Sequence, residues 1–282
     1  MKLSIVTINY NNAEGLRKTL VSVASQTYHD IEHIIIDGGS TDGSVEVIKD
    51  YVNQLKIENR KLKVNWESEK DKGIYNAMNK GIRKATGDYV QILNSGDILA
   101  APDVTEMMVA ALRDGVGIMY GNMLRDFGNG KVQRDTTKAD GGAREVEWTM
   151  YDFINGTVNH DPTYIRRDLY EKYGLYDENL KICSDWKWFV NAVVFGGEKL
   201  YYVPIDVTIF DTAGVSETNL AFRELERHAE LEKMLPIAIL KDYNTWHFPI
   251  AQVKRLMKYH LWGLVYFMER VLFKLEKWRI LR

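Results

Sequence analysis

Residues 89–97, Tyr-Val-Gln-Ile-Leu-Asn-Ser-Gly-Asp, run from a short apolar stretch into a polar turn that carries a carboxylate, and an apolar run ending in a polar turn occurs three times upstream, twice with a carboxylate. Residues 3–8 lead into Asn9-Tyr10-Asn11-Asn12, Ile34-Ile35-Ile36 into Asp37-Gly38-Gly39-Ser40-Thr41-Asp42-Gly43-Ser44, and residues 62–66 into Ser68-Glu69-Lys70-Asp71-Lys72-Gly73. Between these runs, residues 13–26, 45–51 and 74–85 have helical spacing; Leu16, Leu20, Val23 and Ala24 share one face of the first. Short apolar runs alternating with helices are what a parallel sheet covered on both faces requires, so the chain is committed to a β-α-β-α-β-α-β start. Ligands of such sheets bind at the carboxyl ends of the strands, where Asn9, Asp37, Asp71 and Asp97 all fall.

With 282 residues and 45% hydrophobic content the chain can bury a sizeable core. A single cysteine, Cys183, excludes an internal disulfide, and the N-terminal apolar stretch is too short for a signal peptide, which points to the cytoplasm. The net charge of −2 hides an asymmetry: residues 247–282 carry eight Lys/Arg against two Glu, or +6, and the rest of the chain carries −8.

Downstream of Asp97 a helix over 103–113 starts from Pro102 and Asp103, and 117–123 reads as a fifth strand. Asn129-Gly130 marks a hairpin that turns the sheet antiparallel. Residues 135–157 are polar and weakly periodic, the pattern of a mobile loop over a site. Helices over 167–173 and 185–195 and short strands over 200–203 and 207–210 complete the reading.

Two of the carboxylate positions have simpler explanations. Asp42 or Ser44 can cap the helix that follows, and Asp185 or Ser184 can cap the helix at 185. His160, before Asp161-Pro162, fits a buried structural histidine as well as a site residue. Trp148, Trp186 and Trp188 can stack on the face of a ligand or fill the core. No P-loop, Gly-x-Gly-x-x-Gly, zinc spacing or nucleophile elbow occurs, which removes the usual ATPase, dehydrogenase, zinc-hydrolase and esterase readings.

Ser4-Ile5-Val6-Thr7-Ile8-Asn9-Tyr10-Asn11, Ile36-Asp37-Gly38-Gly39-Ser40-Thr41-Asp42-Gly43, residues 71–81 and Leu93-Asn94-Ser95-Gly96-Asp97 occur in one order. Together they resemble the inverting family 2 glycosyltransferases of the GT-A fold, of the type that builds bacterial surface polysaccharides. The resemblance covers residues 1–216, including Cys183-Ser184-Asp185-Trp186 and Ala213-Gly214-Val215-Ser216. It implies a Rossmann-like, mixed but mainly parallel sheet flanked by helices, with a nucleotide-binding half over about 1–98, an acceptor half over about 99–216 and a C-terminal amphipathic helical extension over 217–282.

By position, the resemblance assigns the donor nucleotide to Ile8, Asn9, Tyr10, Asp37, Asp71 and Lys72, and a divalent metal, Mg²⁺ or Mn²⁺, to Asp97. Asp185 takes the catalytic base, with His160 and Trp186 on the acceptor side. Carboxylates accept ribose hydroxyls and base N–H groups, and these cations prefer oxygen ligands shared with phosphates. The metal motif is thinned: the common Asp-x-Asp-Asp is here Asn94-Ser95-Gly96-Asp97.

The implied reaction moves one sugar from a nucleoside diphosphate donor, a UDP-sugar, to a saccharide or lipid-linked oligosaccharide, with no nucleic acid partner and an oligomer left open. Two rivals remain. A sugar-phosphate nucleotidyltransferase would share the sheet but needs a basic, Gly-rich triphosphate loop that this N-terminus lacks; a non-catalytic nucleotide-sugar or carbohydrate-binding protein would tolerate the thinned motif.

In the tail, Ile250, Val253, Met257, Leu261, Leu264, Met268, Val271 and Leu275 repeat at helical spacing with the basic residues off the stripe. Such a helix packs on its own domain, pairs with another subunit or lies in a membrane interface. The basic excess with Trp262, Tyr266, Phe267 and Trp278 favours peripheral contact with an anionic membrane, at its cytoplasmic face. No apolar run is long enough to span a bilayer.

Overall fold

The structure is a computed structural model and describes residues 1–128, 131–135, 142–212, 219–243, 245, 263–264, 267 and 270–271. Two compact units divide the chain, residues 1–223 and 224–282.

The first unit begins with β1 (Leu3–Asn9), α1 (Ala13–Ala24), β2 (Ile31–Asp37), α2 (Ser44–Ile57), β3 (Lys63–Ser68), α3 (Ile74–Lys84) and β4 (Tyr89–Ile92). It continues with β5 (Ile98–Leu99), α4 (Val104–Ala111), β6 (Ile118–Asp126), β7 (Val132–Asp135), β8 (Arg144–Val146), α5 (Met150–Asn155) and β9 (Thr163–Arg166). Then come α6 (Asp168–Tyr173), α7 (Ser184–Phe189, extended by a π-helical turn to Phe195) and β10 (Leu200–Asp211), and α8 (Leu220–Met234) runs across the boundary into the second unit.

One mixed sheet carries the strands in the order β3-β2-β1-β4-β9-β6-β10-β5, with β7 beside β6 and β8 beside β10. The first four strands are parallel; β9 runs antiparallel between β4 and β6. All seven residues of β1 are buried, as a strand covered on both faces must be. On one face α1 and α2 pack Leu16, Leu20, Val47 and Ile48 against Ile35. The approach of α3 to β1 depends on Gly81, because a Cβ there would collide with Val6 Cγ1, and buried Val6 has little rotamer freedom with which to yield. After β1 the chain winds outward to β2 and β3, then returns to place β4 on the other flank of β1. That reversal opens a crevice at the carboxyl ends of β1 and β4.

Several elements differ from the sequence reading. The two short strands over 200–203 and 207–210 are one strand, β10, whose register against β6 shifts between Tyr202 and Thr208. Pro204, which has no N–H, lies in the bulge between them, and Gly121 opposite leaves the space that Val207 Cγ2 and the Ile205 carbonyl occupy. Inside the stretch read as a loop, β8 pairs with β10, and α5 starts from a Thr149/Asp152 capping box that was legible as Thr-x-x-Asp. Neither Asp42 nor Ser44 is the N-cap of α2. Gly43 is, with φ +95°, while the Asp42 carboxylate accepts from Ser44 N, Ser44 Oγ and Ala13 N, tying α2 to α1.

The Asn129-Gly130 turn and residues 213–216 lie outside the described residues, as does nearly all of the 247–282 tail. The strands flanking the turn, β6 and β7, pair antiparallel as a hairpin requires. Among the described residues no helix is long and apolar enough to cross a membrane.

Candidate active site

Asn9 ends β1 and Asp37 ends the neighbouring β2, paired in register. Asp37 is fully buried and accepts four hydrogen bonds, from Asn9 Nδ2 (2.7 Å), Ser40 N (2.9 Å), Ser40 Oγ (2.6 Å) and Ser68 Oγ (2.6 Å). Burial pushes its pKa up, but these bonds more than reverse that and hold the carboxyl below the usual range. A carboxylate has about four acceptor positions, so all of them are taken. In this geometry Asp37 ties the ends of β1, β2 and β3 together.

Asp71, Tyr10 and Gly38 converge beside it. A Cβ at Gly38 would lie 2.5 Å from Asp71 Oδ2 and 3.2 Å from Tyr10 Cδ2, so only glycine lets the carboxylate and the ring close over this turn. The other oxygen of Asp71 accepts Gly73 N (2.9 Å) at the start of α3. Tyr10 is 66% exposed, an open aromatic face beside a carboxylate. Lys72 is exposed, and its N–H donates to Asn76 Oδ1 (3.1 Å). Ile8 is buried, and its carbonyl accepts Ser95 N (3.0 Å), which locks the donor-side strand to the turn after β4.

That turn, Asn94 to Asp97, is fixed from α1. Asn12 caps α1 through Gly15 N and donates to the Ser95 carbonyl (3.0 Å), while Thr19 Oγ1 accepts Gly96 N (3.0 Å) and donates to the Asp97 carbonyl (2.7 Å). Gly96 has φ +109°, a conformation that accounts for glycine in the thinned motif. Asp97 is only 3% exposed; its Oδ1 accepts Asp211 N (2.9 Å) from the end of β10. Burial, then the like charge of Asp161, raise its pKa well above the ordinary value. Asp161 is itself 2% exposed, and its Oδ1 has no hydrogen-bond partner. Two carboxylates so placed call for a proton or a cation between them.

Asp185 lies in the first turn of α7, but Cys183 occupies the N-cap position, so neither Asp185 nor Ser184 is the cap. The Asp185 carboxylate accepts Tyr75 Oη (2.9 Å) from α3 and pairs with His160 Nδ1 (3.0 Å). The far nitrogen of the same ring, Nε2, lies 3.1 Å from Asn94 Nδ2 and 3.3 Å from Asp161 Oδ1. Burial acts to raise the Asp185 pKa, and His160 and Tyr75 outweigh it, leaving it below the carboxylate range. For His160 burial pulls downward, yet Asp161 and Asp185 push its pKa up to about 9.

Trp186 corrects the acceptor-side expectation. It is 1% exposed, donates Nε1–H to the Phe153 carbonyl (2.7 Å) and has no face to offer a sugar. Trp148 and Trp188 are likewise core residues.

The structure thus gathers Asn9, Tyr10, Asp37, Asp71, Asp97, His160 and Asp185 around one crevice. It adds Tyr75, Asn94 and Asp161, none of which had been given a role. Asn79 also belongs to the frame, since it exchanges hydrogen bonds with the Tyr176 backbone and holds the segment leading to Asp185 against α3. Tyr75 and Asp185 are 110 residues apart, and no local spacing announces such a pair. Chemically, the crevice offers an aromatic face and a carboxylate at one end and, in the middle, a site that demands positive charge. At the other end is a carboxylate held by two donors.

Comparison with known proteins places this arrangement. The sequence pattern described as "Glycosyl transferase family 2" matches residues 4–174. An uncharacterized glycosyltransferase of Mycobacterium tuberculosis is 31% identical over 244 residues, covering 83% of this chain and 85% of the relative. A PGL/p-HBAD biosynthesis glycosyltransferase of Mycobacterium bovis is 23% identical over 84% of this chain and 87% of its own. Among solved structures, Staphylococcus aureus TarS 1–349 in complex with UDP-GlcNAc superposes with TM-score 0.63 at 19% identity, over 78% of this chain and 61% of that one. The mannosyltransferase PcManGT of Pyrobaculum calidifontis, in complex with GDP-Man and Mn²⁺, gives 0.56 at 16%, over 74% and 56%. This chain therefore spans less than two thirds of either solved chain, and these likenesses establish the shared GT-A fold. By the match over most of its length and the 31% identical relative, the chain belongs to glycosyl transferase family 2 and is a glycosyltransferase.

Proposed function

We propose that the chain transfers one sugar from a nucleoside diphosphate donor, a UDP-sugar, to a saccharide or lipid-linked acceptor in cell-surface polysaccharide synthesis, with inversion at the anomeric carbon. The observation that carries this reading is the unbroken series of side chains from the donor-side turn to the base: Asn94 touches His160, and His160 touches Asp185. The complexes of TarS with UDP-GlcNAc and of PcManGT with GDP-Man support a nucleotide-sugar donor.

In this reading Tyr10 and Asp71 meet the nucleoside, Lys72 stands near the diphosphate, and Asn9 and Asp37 set the shape of that pocket. Asp185 accepts the proton of the acceptor hydroxyl as the oxygen bonds to the anomeric carbon and the bond to the diphosphate breaks, its electron pair leaving with the diphosphate. Attack from the face opposite the leaving group inverts the centre.

Among the described residues no three Asp, Glu, His or Cys side chains form a cage that could hold a metal alone. The donor set nonetheless fits Mg²⁺ or Mn²⁺, which commonly take one or two carboxylates and complete their shell with substrate phosphates, and Asp97 with its charge-repelled neighbour Asp161 favours added positive charge. Asp97 would hold the ion, whose chemistry is to stabilise the departing diphosphate electrostatically.

Donor binding is tested by a thermal-shift series over nucleoside diphosphates and their sugars, with and without Mn²⁺. At 100 Kd a specific ligand stabilises by about 2.7 kcal/mol. Asp71→Ala should weaken the bare nucleotide by on the order of tenfold, the worth of one charge-assisted hydrogen bond. Equal binding by Asp71→Ala and the unsubstituted protein would move the nucleoside elsewhere.

For the tail, we propose peripheral contact with an anionic membrane surface, which would suit a lipid-linked acceptor. Each basic residue near such a surface contributes on the order of 1 kcal/mol, so removing 247–282 should release the protein from anionic vesicles. The attraction should also weaken with salt. Co-sedimentation at two ionic strengths checks this, and salt-insensitive binding or unfolding of the truncated chain would sink it.

A further inference from the structure

The assignment of Asp185 as base leaves His160 without a role, although both of its ring nitrogens face partners at the crevice. We propose that His160 is a positioning residue: a charged imidazolium that clamps the Asp185 carboxylate from one ring nitrogen and anchors it to the donor-side turn through Asn94 from the other. The inference rests on Asp185 being the base.

Geometry supports it in three ways. Nδ1 lies 3.0 Å from Asp185 Oδ2, while Tyr75 Oη holds Oδ1 at 2.9 Å, so the carboxylate is fixed at both oxygens by groups from two different segments. On the other side of the ring, Nε2 faces the Asn94 amide at 3.1 Å through Nδ2, and Asn94 Oδ1 is buried with no partner. With the amide as placed, a ring protonated on Nδ1 alone donates to Asp185 and accepts from Asn94 Nδ2; turned end for end, the amide presents its oxygen to Nε2, and a ring protonated on both nitrogens donates to Asp185 and Asn94 together. Finally, Asp161 Oδ1, another buried oxygen lacking a hydrogen bond, lies 3.3 Å from Nε2, so the ring stands between two carboxylates, and it is this second carboxylate that favours the proton on Nε2.

The remaining groups facing this pair do not compete for its proton. Tyr75 from α3, Tyr170 from α6 and Tyr176 from the loop after it are raised by burial and stay protonated near neutral pH. Cys183 lies just before α7 and is buried.

The consequence is a coupling between donor and base. Asn94 sits three residues before Asp97, so whatever orders that turn also orders the ring that aims Asp185. The imidazolium also keeps Asp185 ionised, despite its burial, at the pH where it must accept a proton.

The test uses the full chain, an identified donor and acceptor pair, and the pH dependence of kcat. His160→Asn keeps a neutral N–H near the position of Nδ1 but removes the charge. With the opposite charge gone, burial dominates and the Asp185 pKa rises, so the acidic limb of the profile should move to higher pH by about one unit or more. Turnover at pH 7 should fall roughly tenfold or more, and donor Kd should stay within about twofold. Tyr75→Phe, which deletes one hydrogen bond and no charge, should shift the limb in the same direction by less. It decides the matter if circular dichroism shows His160→Asn unfolded.

A limb that stays in place in folded His160→Asn would make His160 merely structural, and one that stays in place in Tyr75→Phe would mean that the Asp185 carboxylate does not set it. A limb abolished by His160→Asn would make the imidazole itself the proton acceptor, and a matching loss of donor affinity would make it a donor contact. Each of these results overturns the proposal. Asp185→Asn measured alongside separates the layers: a normal profile in that variant would defeat the base assignment itself.

Discussion

Asp185→Asn should lower turnover by roughly 10²–10⁴-fold while leaving donor affinity nearly unchanged. The amide keeps the size of the side chain and can still accept from Tyr75 Oη, but it cannot take a proton from an attacking hydroxyl. It also leaves His160 facing a neutral partner, so part of the loss comes from misaimed geometry, and the two contributions will not add simply. Single-turnover rates with saturating donor check this directly. Turnover within a few-fold of the unsubstituted protein would leave Asp185 as a first-turn carboxylate that stabilises α7 and nothing more.

Asp97→Asn carries the other large effect. The asparagine retains an acceptor for Asp211 N, so the turn after β4 should persist, and the substitution removes the repulsion between buried Asp97 and Asp161. Thermal stability without metal should therefore hold or rise. What should vanish is the added stabilisation by nucleoside diphosphate with Mn²⁺, about 2.7 kcal/mol at 100 Kd in the unsubstituted protein. Calorimetry of the nucleoside diphosphate with and without Mn²⁺ gives the same answer independently of melting. Equal Mn²⁺-dependent affinity in both proteins would move the cation away from Asp97, and a collapse of metal-free stability would make the residue a structural one.

Much of this molecule was legible in its sequence because the signals are local. Four apolar runs with helices between them fix a parallel start, since short connections permit nothing else. The turns that follow the runs carry their own chemistry: Gly38 and Gly96 are glycines because a carboxylate crowds one and a positive φ governs the other. Even α5, read as loop, announced itself in Thr149 and Asp152.

The errors share one cause, which is that burial and partnership are properties of distance in space. Trp186 follows Asp185 directly and resembled a sugar platform, but the helix that brings Asp185 to the crevice turns its neighbour into the core. Residues 200–203 and 207–210 read as two strands because the sequence does not reveal the bulge between them, across from Gly121.

The sequence by itself determined the fold, the crevice and the carboxylates that border it, because strand and turn signals are written within a few residues of each other. Only the tertiary structure decided how those carboxylates are charged and aimed. Asp185 gained Tyr75 from 110 residues away and His160 from 25, and Asp97 gained Asp161, a neighbour of like charge. A carboxylate's pKa and direction depend on burial and on the charges within a few ångströms, and those neighbours exist only once the sheet has brought distant turns to one edge.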